Sequence, residues 1–234
     1  MITARHGFLL FLVFLSSMAI FAQEEAIQEE GDPKYREDQF YIGVSYNLLS
    51  SVPSNTRIRG LSGGLQLGYL RDMPINAKRT VAIAVGAGVS LDRLGSNLFI
   101  GEDANEQTIF EVIGSDIQFD NNRFSVSTVE VPIEFRWRNS TPSSHKFWRI
   151  YGGVKFGYTY YYRAYFKQTN NEVSQTNIPE FDRFRMTGTL SFGRNAISLY
   201  ANYTINPFFK DAVTVDGDSV DFRTVKLGII FYIL

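Results

Sequence analysis

Two runs of strict alternation flank a polar connector in the middle of the chain. Over 128–137, Val129, Val131, Ile133, Phe135 and Trp137 share one parity, and Thr128, Glu130, Pro132, Glu134 and Arg136 share the other. Over 150–162, Ile150, Gly152, Val154, Phe156, Tyr158, Tyr160 and Tyr162 alternate with Tyr151, Gly153, Lys155, Gly157, Thr159 and Tyr161. A period of two predicts strands with one apolar and one polar face. The runs reach about 9–11 residues or more, the length a tilted strand needs to cross a bilayer. Their polar faces carry ionised groups and their apolar faces end in aromatics. A membrane β-barrel produces this combination, with lipid outside, a polar lumen inside and aromatic girdles at the interfaces.

The pattern recurs, predicting strands at about 39–48, 61–71, 80–91, 124–137, 148–163, 184–193, 196–206 and 222–234. In the third, Ala82, Ala84, Gly86, Gly88 and Ser90 put small residues on the inward face. A slip of parity near Ser127–Val129 predicts a β-bulge in the fourth. Thr108–Ile113 is a further apolar patch, expected to extend strands beyond the membrane. Connections after the first, third, fifth and seventh strands are long, those after the second and sixth are short, and the one after the fourth is intermediate. Short turns belong on the periplasmic side and long loops outside. An open edge in lipid would leave backbone groups unsatisfied, so the sheet must close. The expected fold is all-β, an eight-stranded antiparallel up-and-down transmembrane barrel over 39–234.

Residues 1–22 have the layout of a cleaved secretory signal: Arg5, the apolar run Phe8–Leu15, then small residues to Ala22. Residues 23–38 are acidic and poor in apolar side chains, as in a disordered tail. Cysteine is absent, which excludes disulfides, thiolate chemistry and a lipid anchor after the leader. Net charge is −1, or −2 once Arg5 leaves with the leader, so no basic excess argues for nucleic acid. Mean hydropathy is only −0.11 although aromatics reach 15%; alternation averages out in a barrel.

Val129-Glu130-Val131-Pro132-Ile133-Glu134-Phe135 resembles a strand motif of the PorT-like outer-membrane β-barrel proteins of Bacteroidetes. Tyr151–Tyr158 and the terminal Leu227–Phe231 are similar to later strands of that family. The resemblance covers most of 39–234 and implies an eight-stranded outer-membrane barrel. The family's eponymous member takes part in type IX secretion, and no close match to that member is visible here.

Inward charges form the main candidate site: Glu130, Glu134, Arg136, Lys155, Arg163, Arg183, Arg185 and Lys226. Such charges must pair when buried, and an eight-stranded barrel has room for side chains and little else. A salt-bridge network filling the lumen is the expectation, with a narrow ion path as the alternative. Trp137, Phe156, Tyr158, Tyr160 and Phe231 are the expected lipid-facing girdle, and Tyr158–Tyr162 could instead stack sugars. Gly60-Leu61-Ser62-Gly63-Gly64 formally matches G-x-S-x-G, but a strand follows it where a nucleophile elbow needs a helix. The mature chain's one histidine, His145, falls at the opposite mouth. Asp216, Asp218 and Asp221, or Asp116 and Asp120, read as solvated loop acids that lack the EF-hand pattern. The chain is expected not to be an enzyme and to need no cofactor or metal. Its partners would be outer-membrane lipid and, through the outer loops, envelope or secretion proteins, around a monomeric barrel. A small channel and a soluble periplasmic barrel around an apolar ligand remain the alternatives.

Overall fold

In a computed structural model of the chain, residues 38–139 and 147–233 are described. The expected leader, the acidic tail up to residue 37, and the part of the fourth connector that holds His145 lie outside the described residues. Among the described residues eleven strands form: β1 (Gln39–Ser50), β2 (Gly63–Pro74), β3 (Val81–Gly95), β4 (Leu98–Glu102), β5 (Thr108–Val112), β6 (Asn121–Arg138), β7 (Trp148–Gln168), β8 (Asn171–Gln175), β9 (Phe184–Arg194), β10 (Ile197–Thr204) and β11 (Arg223–Ile233). Eight of them close a barrel. Antiparallel pairing runs β1–β2–β3–β6–β7–β9–β10–β11, and β11 returns to β1 through a continuous register from Phe40↔Ile233 to Ser50↔Arg223. Every barrel strand therefore has two neighbours, as lipid requires. Pro132 offers no N–H, and the β3–β6 ladder skips the positions around it, between Val85↔Ile133 and Gly88↔Glu130.

Connections sort cleanly by end. β2–β3, β6–β7 and β9–β10 turn at one end, where β1 also begins and β11 finishes. The four longer connections meet at the other end, the outer one by the asymmetry of such barrels. Two of them carry structure of their own: β4 and β5 form a hairpin, and β8 pairs with the upper part of β7. β8 falls in a segment whose polarity reads as loop.

Outward positions carry a belt of exposed apolar side chains, such as Ile42, Val44, Ile83, Val85, Val131, Ile133, Leu199 and Ile229. Aromatics bound it at both ends. Phe40, Tyr69, Phe135, Trp137, Trp148, Phe192 and Phe231 ring the short-turn end, and Tyr46, Phe156, Tyr158, Tyr160, Tyr161, Phe184 and Tyr203 stand toward the outer end. On β6 the exposed apolar stretch runs from Val129 to Trp137, nine positions, the span of a tilted strand across the hydrocarbon.

The bulge is present, but on the neighbouring strand. Ser127 pairs with Tyr161 and Thr128 with Thr159, so Tyr160 is the extra residue and β7 bulges rather than β6. β6 keeps one parity throughout, with Phe124 and Val126 inward like Glu130 and Glu134. The apparent slip arises because the interior turns apolar there. Past Tyr160 the faces of β7 exchange: Tyr161 points out and Tyr162 points in, against the straight alternation expected of them.

Inside, the barrel has two storeys. Within the membrane belt the interior is polar and aromatic. Above it, Leu94, Phe110, Phe124, Val126, Tyr162, Phe181, Phe208, Phe209 and Phe222 belong to one apolar core. Its rings pack edge-on or tilted, as Phe124 against Phe181 at 5.6 Å and Phe110 against Phe209 at 5.1 Å, or stacked, as Phe208 against Phe222 at 5.2 Å.

Candidate functional site

Interior charges separate into two layers. At the short-turn end, Asp72 of β2 is fully buried and accepts from two arginines of β6. Arg138 donates Nη1 to Oδ1 at 2.8 Å and Nη2 to Oδ2 at 2.7 Å, a bidentate fork. Arg136 donates Nη1 to Oδ1 at 3.2 Å and Nε to Glu134 Oε2 at 3.1 Å. The Arg136 guanidinium also lies 4.6 Å over the Tyr151 ring, and Arg149 stands over Phe147 at 4.7 Å and Tyr232 at 5.2 Å.

The middle layer is two charge pairs. Lys155 of β7 donates to Gln66 Oε1 at 2.7 Å and to Glu130 Oε2 at 3.2 Å. Lys226 of β11 donates to Asp92 Oδ2 at 2.6 Å, while Asn47 Nδ2 donates to Asp92 Oδ1 at 3.0 Å. Two cations thus face two carboxylates where the interior dielectric makes an unpaired charge costly. Tyr41 lies across the small positions of β2 and β3. A Cβ built on Gly88 of β3 or Gly68 of β2 would collide with its hydroxyl, which explains the glycines at those two positions. Between the layers, a cavity lined by Tyr41, Gln66, Glu134, Lys155, Tyr200 and Tyr232 has about 10 Å³, at the limit for a single water.

Of the charges read from the sequence, Glu130, Glu134, Arg136, Lys155, Arg185 and Lys226 point inward; Arg163 and Arg183 do not. Arg163 follows the bulge, so its parity is reversed. It lies on the outer wall, donating Nε to Ser174 Oγ at 2.7 Å. Arg183 precedes β9, is exposed, and donates Nη1 to Thr159 O at 3.2 Å. Arg185 is buried but belongs to the outer storey. It donates to the carbonyls of Pro207, Phe208 and Asp182, and its guanidinium lies 4.3 Å over Phe208. Trp137, Phe156, Tyr158, Tyr160 and Phe231 all face outward and are exposed.

Sequence reading misses four members of these layers: Asp72, Arg138, Arg149 and Asp92. Asp72, Asp92 and Arg138 lie one residue past the ends of the expected strands, and Arg149 is the second residue of its own. Extending the inward parity of β2, β3 and β6 by one residue reaches the first three.

Other candidates resolve locally. Ser62 is buried, and its Oγ accepts from Gly95 N at 2.9 Å; it staples the start of β2 to the end of β3. Asp218 Oδ2 accepts from Ser54 N at 3.1 Å, and Asp221 pairs with Arg223 at 3.1 Å. Asp182 is ionised below the usual carboxylate range: partial burial opposes this, but Lys210, 2.9 Å away, and the Phe184 N–H outweigh it. Among the described residues no group of three acidic or histidine side chains is placed to hold a metal. The outer loops enclose a cleft of about 560 Å³, where Arg57 and Arg59 of the β1–β2 loop face Asp116, Asp216 and Asp218.

None of the curated proteins compared matches the chain. Among solved structures, Ail, the attachment invasion locus protein of Yersinia pestis, aligns at 14% identity over 85% of this chain and 99% of its own, with a TM-score of 0.41. Ail in complex with the heparin analogue sucrose octasulfate aligns at 12% over 84% and 99%, with a TM-score of 0.37. The family profile described as outer membrane protein beta-barrel domain matches residues 21–211, most of the chain. This protein therefore belongs to the outer membrane protein beta-barrel domain family.

Proposed function

We propose that the protein is a sealed outer-membrane barrel that works through its outer surface, as an interaction or assembly partner in the envelope and not as a channel or an enzyme. One observation carries this reading. The polar lumen is filled by paired side chains, and its outer mouth is stopped by the apolar core around Phe124, Phe208 and Phe222. An ion would have to cross both the fixed charge pairs and a dry aromatic layer. A polar interior inside an apolar belt is also the reverse of a soluble barrel around an apolar ligand. What the protein offers to its surroundings is the loop end, with the cleft between Arg57, Arg59, Asp116 and Asp216 as its concave part. The PorT-like strand motif supports a partner drawn from secretion or envelope assembly.

Planar-bilayer recording on the purified barrel tests the reading. The expected result is no stepwise conductance, with a photo-crosslinker at Asn55 or Asp116 capturing an envelope protein in cells. Regular conductance steps that change with Glu134→Gln or Lys155→Met would overturn it in favour of a channel.

A further inference from the structure

Above the outer girdle the lipid-facing wall turns cationic. On β3 the outward position after Leu91 is Arg93. On β6 those beyond Val129 are Ser127, Ser125 and Arg123, and on β7 Tyr161 is followed by Arg163 and Tyr165. Register places Gly63, Arg93, Ser125 and Arg163 on one rung across β2, β3, β6 and β7, with Arg123 beside Tyr165 on the next rung. Strand spacings of about 4.8 Å and same-face steps of about 7 Å put the three arginine backbones in a patch about 10 Å across.

These arginines differ from those of the lumen. Arg136, Arg138, Lys155 and Lys226 each meet a carboxylate, whereas none of Arg93, Arg123 and Arg163 is paired with one among the described residues. Arg123 and Arg163 are held against the same ring, 4.6 Å and 5.2 Å from the centroid of Tyr165. Arg93 keeps a buried Nε with no hydrogen-bond partner. All three are half-buried against the wall. Like charges gathered without a counterion repel, so the patch is suited to an anion supplied from outside the chain.

We propose that Arg93, Arg123 and Arg163 form a binding site for the phosphorylated headgroup of an outer-leaflet lipid. Location selects the source. The patch lies on the wall that faces lipid, one or two outward positions beyond the Tyr158–Tyr161 girdle, where headgroups replace hydrocarbon. Chemistry selects the group. Guanidinium forks match phosphate oxygens, and an arginine stacked on an aromatic ring is already oriented.

The test uses the full-length barrel folded in a zwitterionic detergent, with lipid retention measured by native mass spectrometry. The probes are lipid A with both phosphates, lipid A stripped of both, and inorganic phosphate. Diphosphorylated lipid A should be retained and the stripped form released. Each Arg→Gln change should weaken retention about fivefold, and the triple variant on the order of a hundredfold. Arg163→Lys should retain part of the binding, as charge without the fork. Heat-modifiable gel mobility checks that each variant is folded; if the triple variant is not, the three single variants carry the comparison. Equal retention by wild type and folded variants, or equal retention of the stripped lipid, would overturn the proposal. Displacement of lipid A by inorganic phosphate at matched concentration would overturn the lipid as the source.

Discussion

Asp72→Asn should be the most damaging isosteric change in the barrel. Asp72 is fully buried and accepts at least three guanidinium hydrogen bonds, two from Arg138 and one from Arg136. An amide keeps the volume but removes the charge and turns one acceptor into a donor aimed at a guanidinium. Arg136 keeps Glu134 as a counterion, 3.1 Å away, while Arg138 loses both ends of its fork to Asp72. Removing one partner of a buried pair typically costs about 3–5 kcal/mol, because the remaining charge is left desolvated. With an m value of about 2 kcal/mol/M, the urea midpoint should fall by about 2 M. The assay is equilibrium unfolding from lipid vesicles, followed by gel mobility of unheated protein. Asp72→Leu combined with Arg138→Met should cost less than Asp72→Asn alone, since both ends of the bidentate pair are then removed. A loss below about 1 kcal/mol for Asp72→Asn would refute the reasoning, since a cost that small belongs to solvated pairs.

Three further outcomes follow from the geometry. Gly88→Ala places a methyl against the Tyr41 hydroxyl and the Leu67 carbonyl and should cost about 1–3 kcal/mol. Gly188→Ala, which meets nothing closer than 4.0 Å, should stay within about 0.5 kcal/mol by the same unfolding assay. In the β4–β5 turn, the Gln107 and Asn105 backbone N–H groups hold the exposed Asp103 carboxyl below its ordinary value. Its contribution to the turn is therefore present above the unfolded pKa and lost as pH falls through the lower folded one. The Gln107 amide resonance should move upfield over that acid range and stay constant in Asp103→Asn.

Strand positions were legible because lipid and lumen enforce opposite demands on alternate residues. Val129 to Trp137 shows this without ambiguity. Ambiguity begins where one of the two solvents changes. Phe124 and Val126, apolar at the inward parity of β6, produced the apparent slip of parity because they face an apolar interior above the membrane. In Tyr158–Tyr162, aromatics occupy both faces, so residue type could not mark the bulge or reveal that Arg163 had changed sides. Asp72, Arg138 and Arg149 were hidden for another reason. Charges near a predicted turn look solvated, and only the closed barrel shows that these three are covered.

The outer core also sets an order of events. Leu94, Phe110, Phe124, Phe181, Phe209 and Phe222 come from or flank three of the long connections, and they meet only after those segments have crossed the membrane. Such contacts, far apart in sequence, are closed late because chain entropy must be lost before they form. The connection carrying Phe208 and Phe209 is the last of the long ones in chain order. Translocation must therefore be complete before the aromatic layer can set, which makes insertion a one-way passage: once the layer has packed, withdrawing any single loop means unpacking the others.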